Sequence, residues 1–283
     1  MDIKPTNPAT IALTVAGSDS GGGAGIQADL KTFAALGMFG TSAITAITAQ
    51  NPRGVTRIQG IDPDVVAAQI AAVLDYFPVA AVKVGMLFST EVIHAVAEAL
   101  RAAAPPPNAT RGQTLPPIVV DPVMVSTSGA RLLSEDAVSA LVQTMLPLAS
   151  IVTPNMDEAA LLAGRPVERA TDLDGAAKAL YDRLGVPVLV KGGHLQHSTE
   201  AVDVLWDGHE MELYSAPFLK GIDAHGTGCT LSSAIAVYLS HGYGLADAVG
   251  EAKTYLHQAL MNAVPVGPST TLNHAYAPMV MGS

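Results

Sequence analysis

Short apolar, β-rich runs alternate with segments whose apolar residues recur at helical spacing, and the alternation continues along almost the whole chain. Ile11 to Ala16 is the first such run; Ile26, Leu30 and Phe33 follow at helical spacing, and Gly37 closes them. Ser42 to Ala49 reads as a second strand, Pro63 opens a helical pattern through Tyr76, Val79 to Val84 is a strand, and Thr90 to Ala103 is a helix. Ile118 to Asp121, Ile151 to Thr153 and Val186 to Lys191 are further strands, with helical patterns between and after them. Val202 to Leu205 with Met211 to Tyr214 resembles a small hairpin, and helices follow over Thr227 to Leu239 and Leu245 to Asn262. Strands that alternate with helices predict an α/β fold, a mostly parallel sheet covered on both faces.

The chain has 283 residues, which fits one large α/β domain or two small ones. The five prolines between Ala104 and Pro117 carry no periodicity, but the alternation resumes at once, so they read as a loop insertion and not a domain boundary. The expectation is a single domain over 1–283 with its core at about 11–265; the tail after Pro265 reads as loop. Hydrophobic residues make up 49%, too many for a disordered chain, and charged residues only 14%, against roughly 25% in an average globular protein. So sparse a charge set suggests that some surface is buried in a homodimer. The net charge of −10, with no basic run, speaks against a nucleic-acid or anionic-membrane partner. A lone cysteine, Cys229, excludes an intramolecular disulfide or a multi-cysteine metal site. Met1 to Pro5 has no secretion pattern and charges interrupt every apolar stretch, so the expected location is cytoplasmic.

In open parallel sheets, ligands bind beyond the C-terminal ends of the strands. Gly17-Ser18-Asp19, Gln50-Asn51, Gly85-Met86, Asp121, Asn155 and Lys191-Gly192-Gly193 all sit at or just after such ends. Their convergence on one crevice weighs more than any single motif. Gly23-x-Gly25-x-x-Ala28 matches the dinucleotide fingerprint in form, but no Asp or Glu lies between Asp29 and Asp62 to hold a ribose, so a dinucleotide-dependent oxidoreductase is disfavoured. The glycines read as a turn that lets the backbone approach something closely, a ligand being the expected neighbour. Asp29 borders the inward stripe of its helix and reads equally as a first-turn carboxylate or a ligand-facing one. Asn155-Met-Asp-Glu158 is a capping-box pattern, and its amide and carboxylate could also hold Mg²⁺. Lys191 could supply a countercharge to an anion. In His225-Gly-Thr-Gly-Cys-Thr230, Gly226 to Gly228 form the entry to an apolar-faced helix, whose N–H groups and dipole make an anion hole. Cys229 lies in that first turn, where a thiol pKa can be lowered, although a lone cysteine is more often a small buried hydrophobe. His225 reads as a loop hydrogen-bonding residue and not a catalytic one.

Seven segments together resemble the hydroxymethylpyrimidine/phosphomethylpyrimidine kinase family of the ribokinase-like superfamily: 16–33, 45–55, 83–87, 120–124, 153–159, 191–194 and 225–236. The resemblance implies a three-layer α/β/α fold, ATP and Mg²⁺. It also implies two successive phosphorylations in thiamine biosynthesis, of 4-amino-5-hydroxymethyl-2-methylpyrimidine on its hydroxymethyl oxygen and then of that monophosphate. By position, Asp29 and Gln50 resemble the pyrimidine-binding pair, and Gly17, Met86 and Val123 the pocket walls. Cys229 resembles the catalytic base, where many superfamily sugar kinases carry Asp. Lys191 and the backbone of Gly226, Thr227 and Gly228 resemble the phosphate-binding set, with Lys191, Asn155 and Thr227 toward the nucleotide. Asp121, Asn155 and Glu158 resemble the magnesium-side residues. Ala224 stands where the family usually has Thr, and Ser126-Thr127 where it often has Ala-Lys. The related alternative is a pyridoxal or pyridoxine kinase, whose substrate also carries a hydroxymethyl group; Gln50 and Met86 favour the pyrimidine.

Overall fold

The computed structural model describes residues 9–102, 116–124, 133–193, 199–219 and 225–279. Most of the proline-rich insertion, Ser126, Thr127, His194 and Ala224 lie outside the described residues. Strands β1 (Ile11–Asp19), β2 (Phe39–Asn51), β3 (Gly54–Gly60), β4 (Val79–Val84), β5 (Ile118–Val120), β6 (Ile151–Val152), β7 (Val188–Lys191), β8 (Glu200–Trp206) and β9 (Met211–Pro217) form one sheet in the order β3-β2-β1-β4-β5-β6-β7-β8-β9. Six central strands, β2, β1 and β4 to β7, pair in parallel; β3 pairs antiparallel with β2, and β8 and β9 continue the far edge antiparallel. The expected mostly parallel α/β sheet is present.

Strand periodicity explains the layering. Leu13, Val15, Val82, Val84, Ile118, Val120, Val188 and Val190 face one core, which is covered by α2 (Pro63–Tyr76), α3 (Thr90–Ala102), α4 (Glu135–Ala140), α5 (Met156–Ala163) and α6 (Ala170–Leu184). The alternate residues Ala12, Ala81, Val119, Ile151 and Leu189 face the other core, under α1 (Gly25–Ala35), α7 (Thr227–Ser240) and α8 (Leu245–Met261). Alanine at positions 12 and 81 leaves room on that second face. There α7 lies so deep that every residue from Thr230 to Tyr238 is buried. Among the described residues, no helix is long and apolar enough to cross a membrane.

Two elements differ from the sequence reading. The edge strand β3 was not foreseen; its residues are half-buried or exposed and it carries glycine at both ends, so no apolar run marks it. The tail after Pro265 is not loop alone, since β10 (Val264–Val266) and β11 (Ser269–Thr271) pair antiparallel around Gly267, whose φ is +59°. The hairpin of β8 and β9 is longer than expected and belongs to the main sheet.

The chain runs from β1 out to β2 and β3, then returns to place β4 on the other side of β1. The crevice that such a reversal leaves beyond the C-terminal strand ends lies between β1 and β4.

Candidate active site

Gly17 at the end of β1 and Met86 just after β4 meet across this reversal. A Cβ on Gly17 would come within 2.5 Å of Met86 Cε, so the methionine methyl occupies the space a side chain there would need. Thr45 Oγ1 fixes the Met86 backbone by donating to its carbonyl at 2.6 Å. Val123 follows β5, half-buried, in a tight turn closed by its N–H on Asp121 O at 2.8 Å. Gln50 is half-buried at the end of β2.

The glycine-rich loop after β1 is tied around Asp19. Its Oδ1 accepts the Gly21 N–H at 2.8 Å, and its Oδ2 accepts those of Gly23 and Ala24 at 3.1 and 2.9 Å. A dinucleotide loop would spend such donors on a pyrophosphate; here a carboxylate of the same chain uses them. What the loop approaches closely is another stretch of backbone. Gly226, at φ +85°, lies against the Gly23 carbonyl with no space for a Cβ. His225 enters the same junction, its Nε2 3.0 Å from Asp19 Oδ2 and 3.2 Å from the Gln50 side-chain amide. Burial alone would raise the Asp19 pKa, but the bonds from His225 and from the Ala24 and Gly21 N–H groups outweigh it and hold it below the usual carboxylate value.

Beyond Gly226 begins α7, with no side-chain cap; its first intrahelical bond closes from Thr230 N–H to Gly226 O. The backbone of Thr227, Gly228 and Cys229 therefore forms the amino end of a buried helix. Lys191, at the end of β7, comes to the same place. A Cβ on Gly228 would lie 2.9 Å from Lys191 Nζ and 3.4 Å from Asp121 Oδ2. Lys191 donates to Asp121 Oδ1 at 2.7 Å, and Thr153 Oγ1 donates to the same oxygen at 3.3 Å. Burial alone would lower the Lys191 pKa, but Asp121 and Glu158 more than offset it and keep the ammonium charged.

Asn155 and Glu158 form the capping box that their spacing predicts: Glu158 N–H donates to Asn155 Oδ1 at 2.9 Å, and Asn155 N–H to Glu158 Oε2 at 2.8 Å. The Asn155 side-chain oxygen is thus engaged in starting α5. Glu158 is 2% exposed; burial pushes its carboxyl up to about 7, Lys191 opposing and Asp121 adding to the shift. Among the described residues no cluster of three or more His, Cys, Asp and Glu could hold a metal alone. The pair Asp121 and Glu158 does fit Mg²⁺, which keeps waters, takes one or two carboxylates and relies on substrate phosphates for the rest.

Two residues depart from their expected setting. Cys229 is half-buried, and burial pushes its thiol up to about 11, Asp29 and Asp121 adding to the shift and Lys83 opposing it. The lowering that a helix start can give is outweighed, because burial takes the thiolate away from water. Asp29 does not reach the crevice surface. It is 0% exposed, and its carboxylate accepts from Thr14 Oγ1 at 2.6 Å, Lys83 Nζ at 2.9 Å and Ser233 Oγ at 2.8 Å. Those four residues stand on α1, β1, β4 and α7, so the ion pair joins the sheet to both helices beneath the crevice. The strand-end rule brought Asp19 to the crevice, but sequence reasoning missed Thr14, Lys83 and Ser233. The available signal was Lys83, a charge inside an otherwise apolar strand, since a lysine with no exposure requires a buried partner.

The phosphomethylpyrimidine kinase family profile matches residues 19–274. The hydroxymethylpyrimidine/phosphomethylpyrimidine kinase of Rhizobium meliloti (strain 1021) is 50% identical over 254 residues, covering 89% of this chain and 91% of that protein. The crystal structure of phosphomethylpyrimidine kinase from Clostridium difficile 630 superposes with a TM-score of 0.74 at 41% identity, over 88% of this chain and 99% of that one. The pyridoxal kinase from Staphylococcus aureus, solved with AMP-PCP and pyridoxal, superposes with a TM-score of 0.83 at 30% identity, over 95% and 94% of the two chains.

Proposed function

The chain belongs to the phosphomethylpyrimidine kinase family, and from that premise we propose that it phosphorylates 4-amino-5-hydroxymethyl-2-methylpyrimidine and then its monophosphate, with ATP as donor, in thiamine biosynthesis. The observation that carries this reading is the short stretch from His225 to Cys229. At one end it touches Gln50, which can read an aminopyrimidine edge; at the other, Gly228 covers the Lys191–Asp121 pair, where a phosphoryl group needs positive charge. One segment thus spans the distance between ring recognition and phosphoryl transfer.

Each turn moves the γ-phosphoryl group of ATP onto the substrate oxygen: the bond to the β-phosphate oxygen breaks, a bond to the substrate oxygen forms, and in the first turn the hydroxyl proton leaves. Phosphoryl transfer demands alignment and charge neutralisation more than covalent help. The amino end of α7 and Lys191 hold the oxygens on which charge develops. Gly17, Met86 and Val123 wall the ring, and Gln50 pairs with its polar edge. Asp121 and Glu158 would hold Mg²⁺, which would neutralise phosphate charge. Cys229 takes the hydroxyl proton in its thiolate form, a minor species at neutral pH given the raised pKa. We further propose a single kinase domain that works in the cytoplasm as a homodimer, without nucleic acid or membrane as partner.

Purified protein with Mg-ATP tests the reading against the pyrimidine alcohol, its monophosphate and pyridoxal, with phosphorylated products followed directly. Phosphorylation of both pyrimidines in preference to pyridoxal is expected; a preference for pyridoxal overturns it. Gln50→Leu sharpens the comparison. A site built around a polar edge loses about 10- to 100-fold when the match is removed. Both pyrimidines are therefore expected to lose kcat/KM by that factor in Gln50→Leu, and pyridoxal much less. Equal losses would remove Gln50 from ring recognition.

Glu158→Gln separates capping from charge. Its amide oxygen can still accept the Asn155 N–H, whereas the negative charge is gone. A raised Mg²⁺ requirement for turnover is expected, and an unchanged Mg²⁺ titration leaves only the cap. Stability supplies a second readout. The folded value of about 7 lies above the ordinary 4.5, so Glu158 costs the fold nothing at low pH and progressively more between pH 4.5 and 7. Without Mg²⁺, the Tm of Glu158→Gln relative to wild type is expected to rise as pH increases through that window. Calorimetry at pH 4.5 and 7.5 measures it; a constant difference refutes the penalty.

A further inference from the structure

Hydrogen-bond arithmetic around Gln50 constrains which end of its amide faces which neighbour. The structure places the amide nitrogen 3.2 Å from His225 Nε2 and the amide oxygen 3.1 Å from Thr48 Oγ1; oxygen and nitrogen of an amide exchange places by a half-turn, and the hydrogen count around them calls for that exchange. The Asp19 carboxylate, 3.0 Å from the same His225 nitrogen, can only accept, and its three backbone donors keep it ionised. His225 Nε2 therefore carries a hydrogen. A nitrogen that carries a hydrogen cannot accept another from the Gln50 NH₂ group, so the amide oxygen belongs on this side. The far end is consistent with this. Thr48 Oγ1 has one hydrogen and two neighbours in reach, Ser18 O at 2.9 Å and the Gln50 amide at 3.1 Å, and the nearer, a carbonyl that can only accept, takes it. Thr48 can then only accept from Gln50, which requires the NH₂ group there.

We propose that His225, held by Asp19, locks the Gln50 amide with its oxygen toward the imidazole and its NH₂ toward Thr48, and that this lock makes the crevice selective for an aminopyrimidine edge. The ligand in this statement rests on the proposed function, but the lock itself does not. An aminopyrimidine offers a ring nitrogen that accepts beside an amine that donates. The corresponding 4-oxo ring offers the reverse, an N–H beside a carbonyl. A freely turning glutamine amide serves both; a locked one serves only the first, because the second would face like groups. His225 acts here as a positioning residue, without touching the phosphoryl group.

The test compares kcat/KM for 4-amino-5-hydroxymethyl-2-methylpyrimidine and its 4-oxo analogue in wild type, His225→Asn and His225→Gln. A glutamine side chain can place its amide near the position of the imidazole Nε2, whereas asparagine is too short. Wild type is expected to favour the amino ring by about 100-fold or more. In His225→Asn the ratio is expected to fall at least tenfold, mostly through KM of the pyrimidine and with KM of ATP unchanged; His225→Gln should keep most of it. An unchanged ratio in His225→Asn overturns the proposal. Nitrogen-15 NMR of the imidazole provides a readout that needs no substrate. At pH 8 the His225 signal, assigned by its loss in His225→Asn, is expected to show a hydrogen on Nε2. A hydrogen on Nδ1 alone overturns the lock, whatever the substrate proves to be. If wild type phosphorylates neither ring, the functional reading falls and the NMR result still decides the lock.

Discussion

Cys229→Ala is expected to lower kcat by about 100-fold or more, the usual contribution of a positioned base, while KM for ATP and for the pyrimidine stays within a fewfold. The expected pH dependence follows from the thiol. Because its pKa stands at about 11, the thiolate fraction grows with each pH unit from neutrality upward. Wild-type kcat/KM should climb across pH 7 to 10, and Cys229→Ala should lose that climb. Cys229→Asp, which places a carboxylate where a thiolate is required, should recover part of the lost rate. Near wild-type turnover in Cys229→Ala would mean that the thiol only packs the first turn of α7. A low rate in alanine with an unchanged pH profile would assign the proton to another acceptor.

Breaking the ion pair beneath the crevice should have the largest effect on stability. Both side chains of Asp29 and Lys83 are 0% exposed, so removal of one charge leaves the other buried and unpaired. Asp29→Asn is expected to cost about 3–5 kcal/mol, roughly 5–8 °C in Tm for a chain of this size. Joining it to Lys83→Met removes the stranded ammonium and should recover at least half of that loss, because a matched apolar replacement of a buried pair is often neutral. Thermal unfolding followed by circular dichroism measures all three. A double variant as unstable as the sum of the singles would show that the charges do not act as a pair.

These residues also show how far the sequence could be read. Strand and helix periods carried the layers: α2 spans Pro63–Tyr76 and β4 Val79–Val84, as their patterns predict. The strand-end rule brought Gly17 to Met86, and Lys191 to Asp121 and Gly228. The 155–158 spacing carried its capping box, since a cap is local. What stayed hidden depends on partners far along the chain. Asp29 gave no sign that Thr14, Lys83 and Ser233 would claim its oxygens. The helix start at Cys229 gave no sign of how closely the fold packs around the thiol, and that burial is what raises its pKa. Asp19 was legible as a strand-end residue, but its bond to His225 was not, because that partner lies far along the chain.

The bond between His225 and Asp19 spans 206 residues of sequence, and that between Ser233 and Asp29 spans 204. Contacts that join such distant segments raise contact order and close late in folding. A chain emerging from the ribosome can form β1 to β4 and most of the first core while the crevice does not yet exist. On the proposed roles of Gln50 and Lys191, ring recognition and phosphate binding arise together when α7 docks under the glycine loop. Catalytic competence therefore reports completion of the whole fold, and in refolding it should return with the slowest phase, after helix and sheet signals have recovered.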